Sequence, residues 1–362
     1  MSTRPEGPPG GERRKVAVLG ATGAVGQAFI RLLENHPWFE LVEVAASERS
    51  AGKPYAEAAR WIGGDAMPSR VAGMTVRNCD PSEIKSGIVF SALDSSAAEI
   101  AEPAFARAGK TVLTTAKNVR MEPDVPLVIA EVNPDHLDVI AAQRKARGWE
   151  GAIVANGNCS AIVTALPLAP IHQTFGITKL VVTTMQAISG AGYPGVASLD
   201  ILGNVIPYIG DEEPTIEGEV RKFLGTSDGE SVHSADFAVS AHANRVPVEH
   251  GHTVVMSVGL SRRASPDEVI DAIAGWRGAE VARGLPTAPK RPLEITTAPD
   301  QPQPRRQVDR GAGMTVTVGR VRPDPIFDVK LVAMGHNGIR GAAGASVLNA
   351  ELMARRGLLD GL

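Results

Sequence analysis

The chain predicts an α/β fold: a doubly wound, Rossmann-like nucleotide-binding domain followed by an α+β domain with a mixed sheet. Three observations carry that expectation. Val16-Ala-Val-Leu-Gly20 runs directly into Ala-Thr-Gly23-Ala-Val-Gly26, an apolar strand followed by glycines at every third position. Up to Ala155, strand-length apolar runs alternate with helical patterns, as in a parallel sheet wound through crossover helices. Beyond Cys159 the apolar runs follow one another with few helices between them, which suits a mixed or antiparallel sheet with one face covered.

Taken in order, residues 1–14 (MSTRPEGPPGGERR) are rich in proline, glycine and charge and lack the apolar core of a signal peptide, so a disordered tail is expected. The nucleotide domain is expected over 15–157. Its strands fall at 16–19, 41–46, 88–92, 111–114, 127–130 and 153–155, with helices at 27–33 and 97–108. The second domain is expected over 158–335, with strands at 180–185, 253–258, 314–318 and 328–333. A helix is expected at 266–277 and a proline-rich loop at 286–306. Residues 336–362 carry a small-residue helix pattern at 341–355, expected to pack back on the first domain.

Composition narrows the partners. The 362 residues allow two domains, and 43% hydrophobic with 21% charged residues is globular usage. A net charge of −3 gives no reason to expect nucleic acid or an anionic membrane. No apolar run approaches the roughly 18 residues of a membrane span. With only Cys79 and Cys159 and no secretion signal, the expectation is a reducing cytoplasm and no structural disulfide.

The strand, glycine turn and helix together suit a dinucleotide pyrophosphate. Gly20 permits the tight turn, Gly23 lets the backbone approach phosphate, and Gly26 lets helix and strand pack closely. Thr22, Ala24 and Val25 complete the turn, and the helix start offers free N–H groups. About 20 residues on, Ser47-Glu48-Arg49-Ser50 ends the second strand. A guanidinium and two hydroxyls there suit a 2′-phosphate, which predicts NADP over NAD; Glu48 is the one acidic alternative.

Cys159 follows Asn156-Gly-Asn158 at the start of an apolar helix, just past the last strand of the nucleotide domain. A helix N-terminus favours thiolate, and this position would face a bound nicotinamide. Cys79, beside Asp80, reads as a small buried hydrophobe. His250 and His252 flank a glycine before a strand. No further ligand stands at metal spacing, so no metal is expected, and a histidine there suits proton transfer.

Five motifs then stand in an order that resembles aspartate-semialdehyde dehydrogenase. They are Gly20-Ala-Thr-Gly-Ala-Val-Gly26, Gly157-Asn-Cys-Ser160, Gln186-Ala-Ile-Ser-Gly-Ala-Gly-Tyr-Pro-Gly195, Arg245-Val-Pro-Val-Glu-His-Gly-His-Thr253 and Gly335-His-Asn-Gly-Ile-Arg-Gly-Ala-Ala-Gly344. Ala46-Ser-Glu-Arg-Ser-Ala-Gly52 and Ser198-Leu-Asp-Ile-Leu202 resemble its archaeal and fungal branch. The resemblance implies Cys159 as nucleophile, His252 as acid/base and Gln186 as the residue that positions substrate. Arg245 would grip the substrate carboxylate, Glu219 its ammonium, and Lys222 with Arg120 its phosphate, with Asn158 alongside. It also implies Ser91, Ala92, Ser189, Gly190 and Asn337 at the cofactor, a small-molecule acyl phosphate as substrate, and a homodimer or homotetramer.

The chain departs from the family pattern in three places. Gly157 stands for the usual proline and Ala161 for a threonine. Thr115-Ala-Lys117-Asn118 stands where the family tends to have Asn-Ala-Ser. Gly157 is expected to loosen the turn that holds the thiol. Two alternatives stay open: a related acyl-phosphate or acyl-CoA reductase, such as one acting on malonyl-CoA, and a non-catalytic NADP-binding sensor.

Overall fold

The computed structural model describes residues 7–361. The expected tail before Gly7 lies outside them, and Arg14 already opens the first strand. Six strands, β1 (Arg14–Leu19), β2 (Phe39–Ala46), β3 (Arg77–Asn78), β4 (Ile88–Ser91), β5 (Thr111–Thr114) and β6 (Ala152–Ala155), form an all-parallel sheet ordered β3-β2-β1-β4-β5-β6. Helices on both faces explain the unbroken apolar runs: Val16, Val18, Val89 and Ile153 are wholly buried. From β1 the chain moves one way to β2 and then crosses to β4 on the other side. The order therefore reverses between β1 and β4, and a crevice opens there at the strands' carboxyl ends.

Residues 127–130 do not make the expected strand. The Val128 amide donates to the Ala155 carbonyl (3.1 Å), but the Val128 carbonyl, which would continue the ladder with β6, accepts from Asn349 Nδ2 (3.0 Å) instead. One isolated bridge, Leu127 to Ala155, is what remains.

In the second half, β7 (Ile177–Gln186) is followed by β8 (Thr226–Ser227) and β9 (Val232–His233), which pair only with each other. Next come β10 (Ala238–Arg245), β11 (His252–Leu260), β12 (Leu293–Thr296), β13 (Val316–Pro323) and β14 (Val329–Gly335). The larger sheet is ordered β10-β7-β11-β14-β13-β12. It is mixed: β10 runs parallel to β7 and β12 to β13, and the other pairs are antiparallel. The expected loop at 286–306 thus contains an edge strand and the short helix Pro304–Gln307.

The helix Cys159–Phe175 is apolar all round because it is enclosed all round, packing in one core with residues of β7, β11 and β14. Its first residue stands one loop beyond the end of β6. The C-terminal helix Gly344–Arg355 packs against the first helix, Ala24–Leu33, and against β5. Arg14 donates to the Leu359 carbonyl (3.0 Å) and Asp360 (2.7 Å), tying the chain end to β1. Among the described residues no helix is long and apolar enough to cross a membrane.

Candidate active site

The glycine turn is built as tightly as its sequence suggests. Gly20 has φ +67°, and a Cβ there would lie 2.4 Å from the Ala92 carbonyl oxygen. A Cβ on Gly26 would lie 2.3 Å from the Gly20 oxygen. Gly23 begins the helix Ala24–Leu33, where no side chain caps the N-terminus and no acidic residue stands in the first turn. That arrangement leaves N–H donors and the positive dipole end for an anion, so the turn fits a dinucleotide pyrophosphate. The Thr22 carbonyl accepts from Gln27 Nε2 (2.9 Å), which braces the turn from behind.

A cleft of about 530 Å³ joins this helix start to the second domain, with Ala24, Val25, Ser189, His250, His336 and Asn337 among its walls. Ser189 Oγ contacts both His250 Nδ1 (3.0 Å) and Asn337 Nδ2 (2.9 Å). Asn337 Oδ1 accepts from the Gly251 amide (2.9 Å). Ser47 and Arg49 are exposed past the end of β2, and Ser50 is half-buried. Ser91 departs from expectation: its side chain is fully buried at the end of β4, leaving only the neighbouring Ala92 backbone at the turn.

Sheet register brings the candidate catalytic groups together. Gln186 ends β7 directly beside Arg245 at the end of β10, and His252 opens β11 on the other side of β7. These three strand ends meet the start of the helix Cys159–Phe175. Asn158 caps that helix, its Oδ1 accepting from the amides of Ser160 (2.8 Å) and Ala161 (3.1 Å). Cys159 Sγ then lies 3.0 Å from His252 Nε2. His252 Nδ1 accepts from the Ala187 amide (3.1 Å), so the neutral ring carries its proton on Nε2, facing sulfur.

Electrostatics correct one expectation. Burial pushes the Cys159 thiol up to about 12, and Glu212 adds to the rise. Arg120, the Ser160 amide and Arg245 act in the opposite direction without overcoming it. The helix start therefore does not make a thiolate in the free chain. Burial, with Arg245 and His336, holds His252 down to about 3. Cysteine and histidine thus meet as a neutral pair whose Nε2–H is aimed at the sulfur.

The groups assigned to substrate divide into available and engaged ones. Arg245 donates one N–H to the Ala187 carbonyl (2.8 Å) and has an open guanidinium fork otherwise. Glu219 is 1% exposed and both its oxygens are taken, by Arg120 Nη1 (2.8 Å) and the Asn158 amide (2.5 Å). Arg120 also donates to the carbonyls of Ala116 (3.1 Å) and Thr115 (2.7 Å). Lys222, 1% exposed, gives its three protons to the carbonyls of Arg120 (2.7 Å), Glu122 (2.6 Å) and Val125 (2.9 Å). A phosphate role for Lys222 is thereby corrected: an ammonium has three donors, and all three are used.

Gly157 also behaves differently from expectation. A Cβ there would sit 2.3 Å from Phe223 Cζ and 2.8 Å from Glu219 Oε2, so the glycine lets the turn pack tightly rather than loosening it. Gly190 has a similar use, since a Cβ would lie 2.8 Å from Arg245 Nη1 and 3.0 Å from His252 Cε1.

Two contributors escaped the sequence reading. Glu212, at the start of the helix Glu212–Phe223, accepts from Asn158 Nδ2 (2.7 Å) and Gln186 Nε2 (2.8 Å). Its run Gly210-Asp-Glu-Glu-Pro214 reads as an ordinary acidic helix start. Gly341 packs on Cys159, and its only signal is the glycine-rich tail. His250 stacks on His336 at 5.2 Å. Among the described residues no cluster of His, Cys, Asp or Glu is arranged to hold a metal.

Comparison with known proteins adds independent findings. Residues 15–140 match the family described as semialdehyde dehydrogenase, NAD binding domain, and 168–340 the semialdehyde dehydrogenase, dimerisation domain. The chain is 49% identical to the aspartate-semialdehyde dehydrogenase of Methanothermobacter thermautotrophicus, over 93% of this chain and 98% of that one. It is 46% identical to the Schizosaccharomyces pombe protein of the same name, over 96% and 99% of the two chains. The crystal structure of the Candida albicans aspartate semialdehyde dehydrogenase with NADP superposes with a TM-score of 0.88 at 41% identity, covering 95% of this chain and 99% of that one.

Proposed function

Because the chain belongs to the semialdehyde dehydrogenase family, we propose that it uses NADPH to reduce L-aspartyl-4-phosphate to L-aspartate 4-semialdehyde and phosphate. This is a cytoplasmic step towards lysine, methionine and threonine. The observation that carries the reading is the 3.0 Å contact between Cys159 Sγ and His252 Nε2, at a helix start that shares one site with an open arginine fork.

Cys159 sulfur attacks the acyl carbon, the bond to the phosphate oxygen breaks, and a thioester forms as phosphate leaves with the thiol proton. Covalent catalysis splits one hard step in two, and a thioester accepts hydride more readily than a carboxylate. NADPH, when bound along the glycine turn, supplies that hydride to the thioester carbon. Collapse of the resulting alkoxide breaks the carbon–sulfur bond, and the Nε2 proton of His252 goes to the departing sulfur as the ring recovers one from solvent. The Cys159 helix start offers N–H donors to the developing oxyanion. Arg245 takes the substrate α-carboxylate in its planar fork. Arg120 braces Glu219, and Gln186, itself held by Glu212, orients the acyl group.

A sensor would have no use for a histidine aimed at a half-buried thiol. The amino-acid reading is tested by phosphate-dependent NADPH formation from aspartate semialdehyde. No such activity, together with ready reduction of malonyl-CoA, would replace this reading with a thioester reductase. We also assign a homodimer or homotetramer to the chain. Leu199 and Tyr208, 91% and 69% exposed between β7 and the helix Glu212–Phe223, support a buried contact there. A monomer mass in sedimentation would refute it.

A further inference from the structure

Resting on the acyl-phosphate reaction just proposed, we infer that Glu102 is a positioning residue for the phosphate end of the substrate. Through Thr114 it fixes the turn that aims the Arg120 guanidinium. Glu102 shares the buried face of the helix Ser95–Arg107 with Ala98, Phe105 and Ala106, and is 2% exposed. Burial pushes its carboxyl up, and the Thr114 hydroxyl and the Arg120 charge oppose the rise. An apolar side chain would pack on that face without the cost of desolvating a carboxyl. What the carboxyl adds is a fixed acceptor that holds a hydroxyl in one rotamer.

A short chain of hydrogen bonds leads from it to the site. Thr114 Oγ1, at the end of β5, donates to Glu102 Oε1 (2.6 Å). The same hydroxyl oxygen accepts from the Ala116 amide (2.9 Å) and so closes the turn after the strand. The Thr115 and Ala116 carbonyls in that turn accept from Arg120 Nη2 (2.7 Å) and Nε (3.1 Å), and Nη1 goes to Glu219 (2.8 Å). A guanidinium has five N–H groups, so two stay free for an oxyanion once these three are used. The Arg120 charge also acts on Cys159, which places those donors near the carbon from which phosphate leaves.

Other ties on this segment do different work. The amide and hydroxyl of Thr115 both donate to the Ser91 carbonyl (3.0 Å each), which sets the strand end but not Ala116 beyond it. Lys222 holds the Arg120 carbonyl (2.7 Å), which fixes the backbone there and not the direction of the guanidinium. Asn118 Nδ2 donates to the Ser95 carbonyl (3.0 Å) and Lys117 pairs with Asp211 (2.8 Å), both at exposed positions where such contacts contribute little. The buried Glu102–Thr114 bond is therefore the one that orients the grip on Arg120.

The test is steady-state kinetics in the direction that consumes phosphate, with NADPH binding and thermal unfolding measured alongside. Glu102→Leu and Thr114→Val each remove the link. Each is expected to raise the KM for phosphate about tenfold, the lower end of what a hydrogen bond to a charged group is worth. The kcat at saturating phosphate, the KM for aspartate semialdehyde and the NADPH affinity are expected to stay within about threefold of wild type. Glu102→Gln and Thr114→Ser keep the acceptor and the hydroxyl, and are expected to keep the phosphate KM within about threefold as well. The double variant Glu102→Leu with Thr114→Val is expected to be no worse than either single one, because both break the same path. An unmoved phosphate KM in Thr114→Val overturns the inference, and decides the matter also if Glu102→Leu does not fold. So does an equal rise in all the constants, the mark of a general loss of structure, or a Glu102→Gln enzyme as impaired as Glu102→Leu. Wild-type enzyme that forms NADPH from aspartate semialdehyde with no dependence on phosphate would instead sink the acyl-phosphate reaction itself.

Discussion

Gly341→Ala tests whether backbone packing holds the nucleophile in place. A Cβ on residue 341 would lie 2.4 Å from Cys159 Cβ and 2.9 Å from its Cα. Ordinary contact begins near 3.4 Å, so the methyl group is about 1 Å too close. The glycine's φ is not in the left-handed region, and the contact with Cys159 is therefore the whole perturbation. Retreat of residue 341 is opposed, because its amide donates to the His336 carbonyl (3.0 Å) and its carbonyl accepts from Asn156 Nδ2 (3.4 Å). Cys159 must then move relative to His252. A shift of about 1 Å in a reacting group costs on the order of 100-fold in rate, or ~2.7 kcal/mol. Overpacking should add ~1–3 kcal/mol of destabilisation. The assay is phosphate-dependent NADPH formation, with thermal unfolding and NADPH binding measured alongside. Gly338→Ala is the control, since its Cβ would stand 3.4 Å from the nearest His336 atom. A folded Gly341→Ala enzyme with kcat within threefold of wild type would refute the reasoning, even if its melting temperature fell.

Cys159→Ser should lose about 1,000-fold or more in turnover and keep NADPH binding. Cys79→Ser, whose thiol touches the Ala46 carbonyl at 3.5 Å, should stay active, and the reverse pattern would overturn the assignment of the nucleophile. Arg49→Ala should lower kcat/KM for NADP about tenfold or more and leave NAD nearly unchanged; equal losses would remove Arg49 from the 2′-phosphate site. His252 is held at about 3 in the folded chain against 6.5 when unfolded, so the folded state binds fewer protons between those values. Its contribution to stability is complete above 6.5 and is lost as pH falls towards about 3. His252→Asn should therefore flatten the acid limb of a urea-unfolding series across that window, and an unchanged slope would count against the buried neutral ring. Arg340→Met strands Glu131, now held by two hydrogen bonds of 2.8 and 2.7 Å, and should destabilise by ~3–5 kcal/mol in denaturant unfolding.

What can be read from a sequence depends on whether a requirement is local. The glycine turn is legible because Gly20 and Gly26 crowd atoms of the same turn or of the adjacent strand's end. Cys159 is legible because its cap, Asn158, is its neighbour. The strand expected at 127–130 shows the limit. Its apolar pattern is right, but the side chain of the distant Asn349 takes the Val128 carbonyl that would continue the ladder with β6, and apolar periodicity carries no trace of that competition. Gln186, Arg245 and His252 carry no local sign of their meeting, which comes from the order in which β10, β7 and β11 lie side by side.

Residue type is weaker still as a guide to which groups are free to act. Lys222 and Glu212 differ in the number of donors and acceptors already satisfied, and that number is set by the fold around each side chain. A lysine with three carbonyls around its ammonium has nothing left for phosphate. A carboxylate held by two neutral amides keeps spare lone pairs for a further donor. The thiol follows the same logic. A helix start favours its anion, but burial and the Glu212 charge oppose it, and together they outweigh Arg120, the Ser160 amide and Arg245 in the free chain.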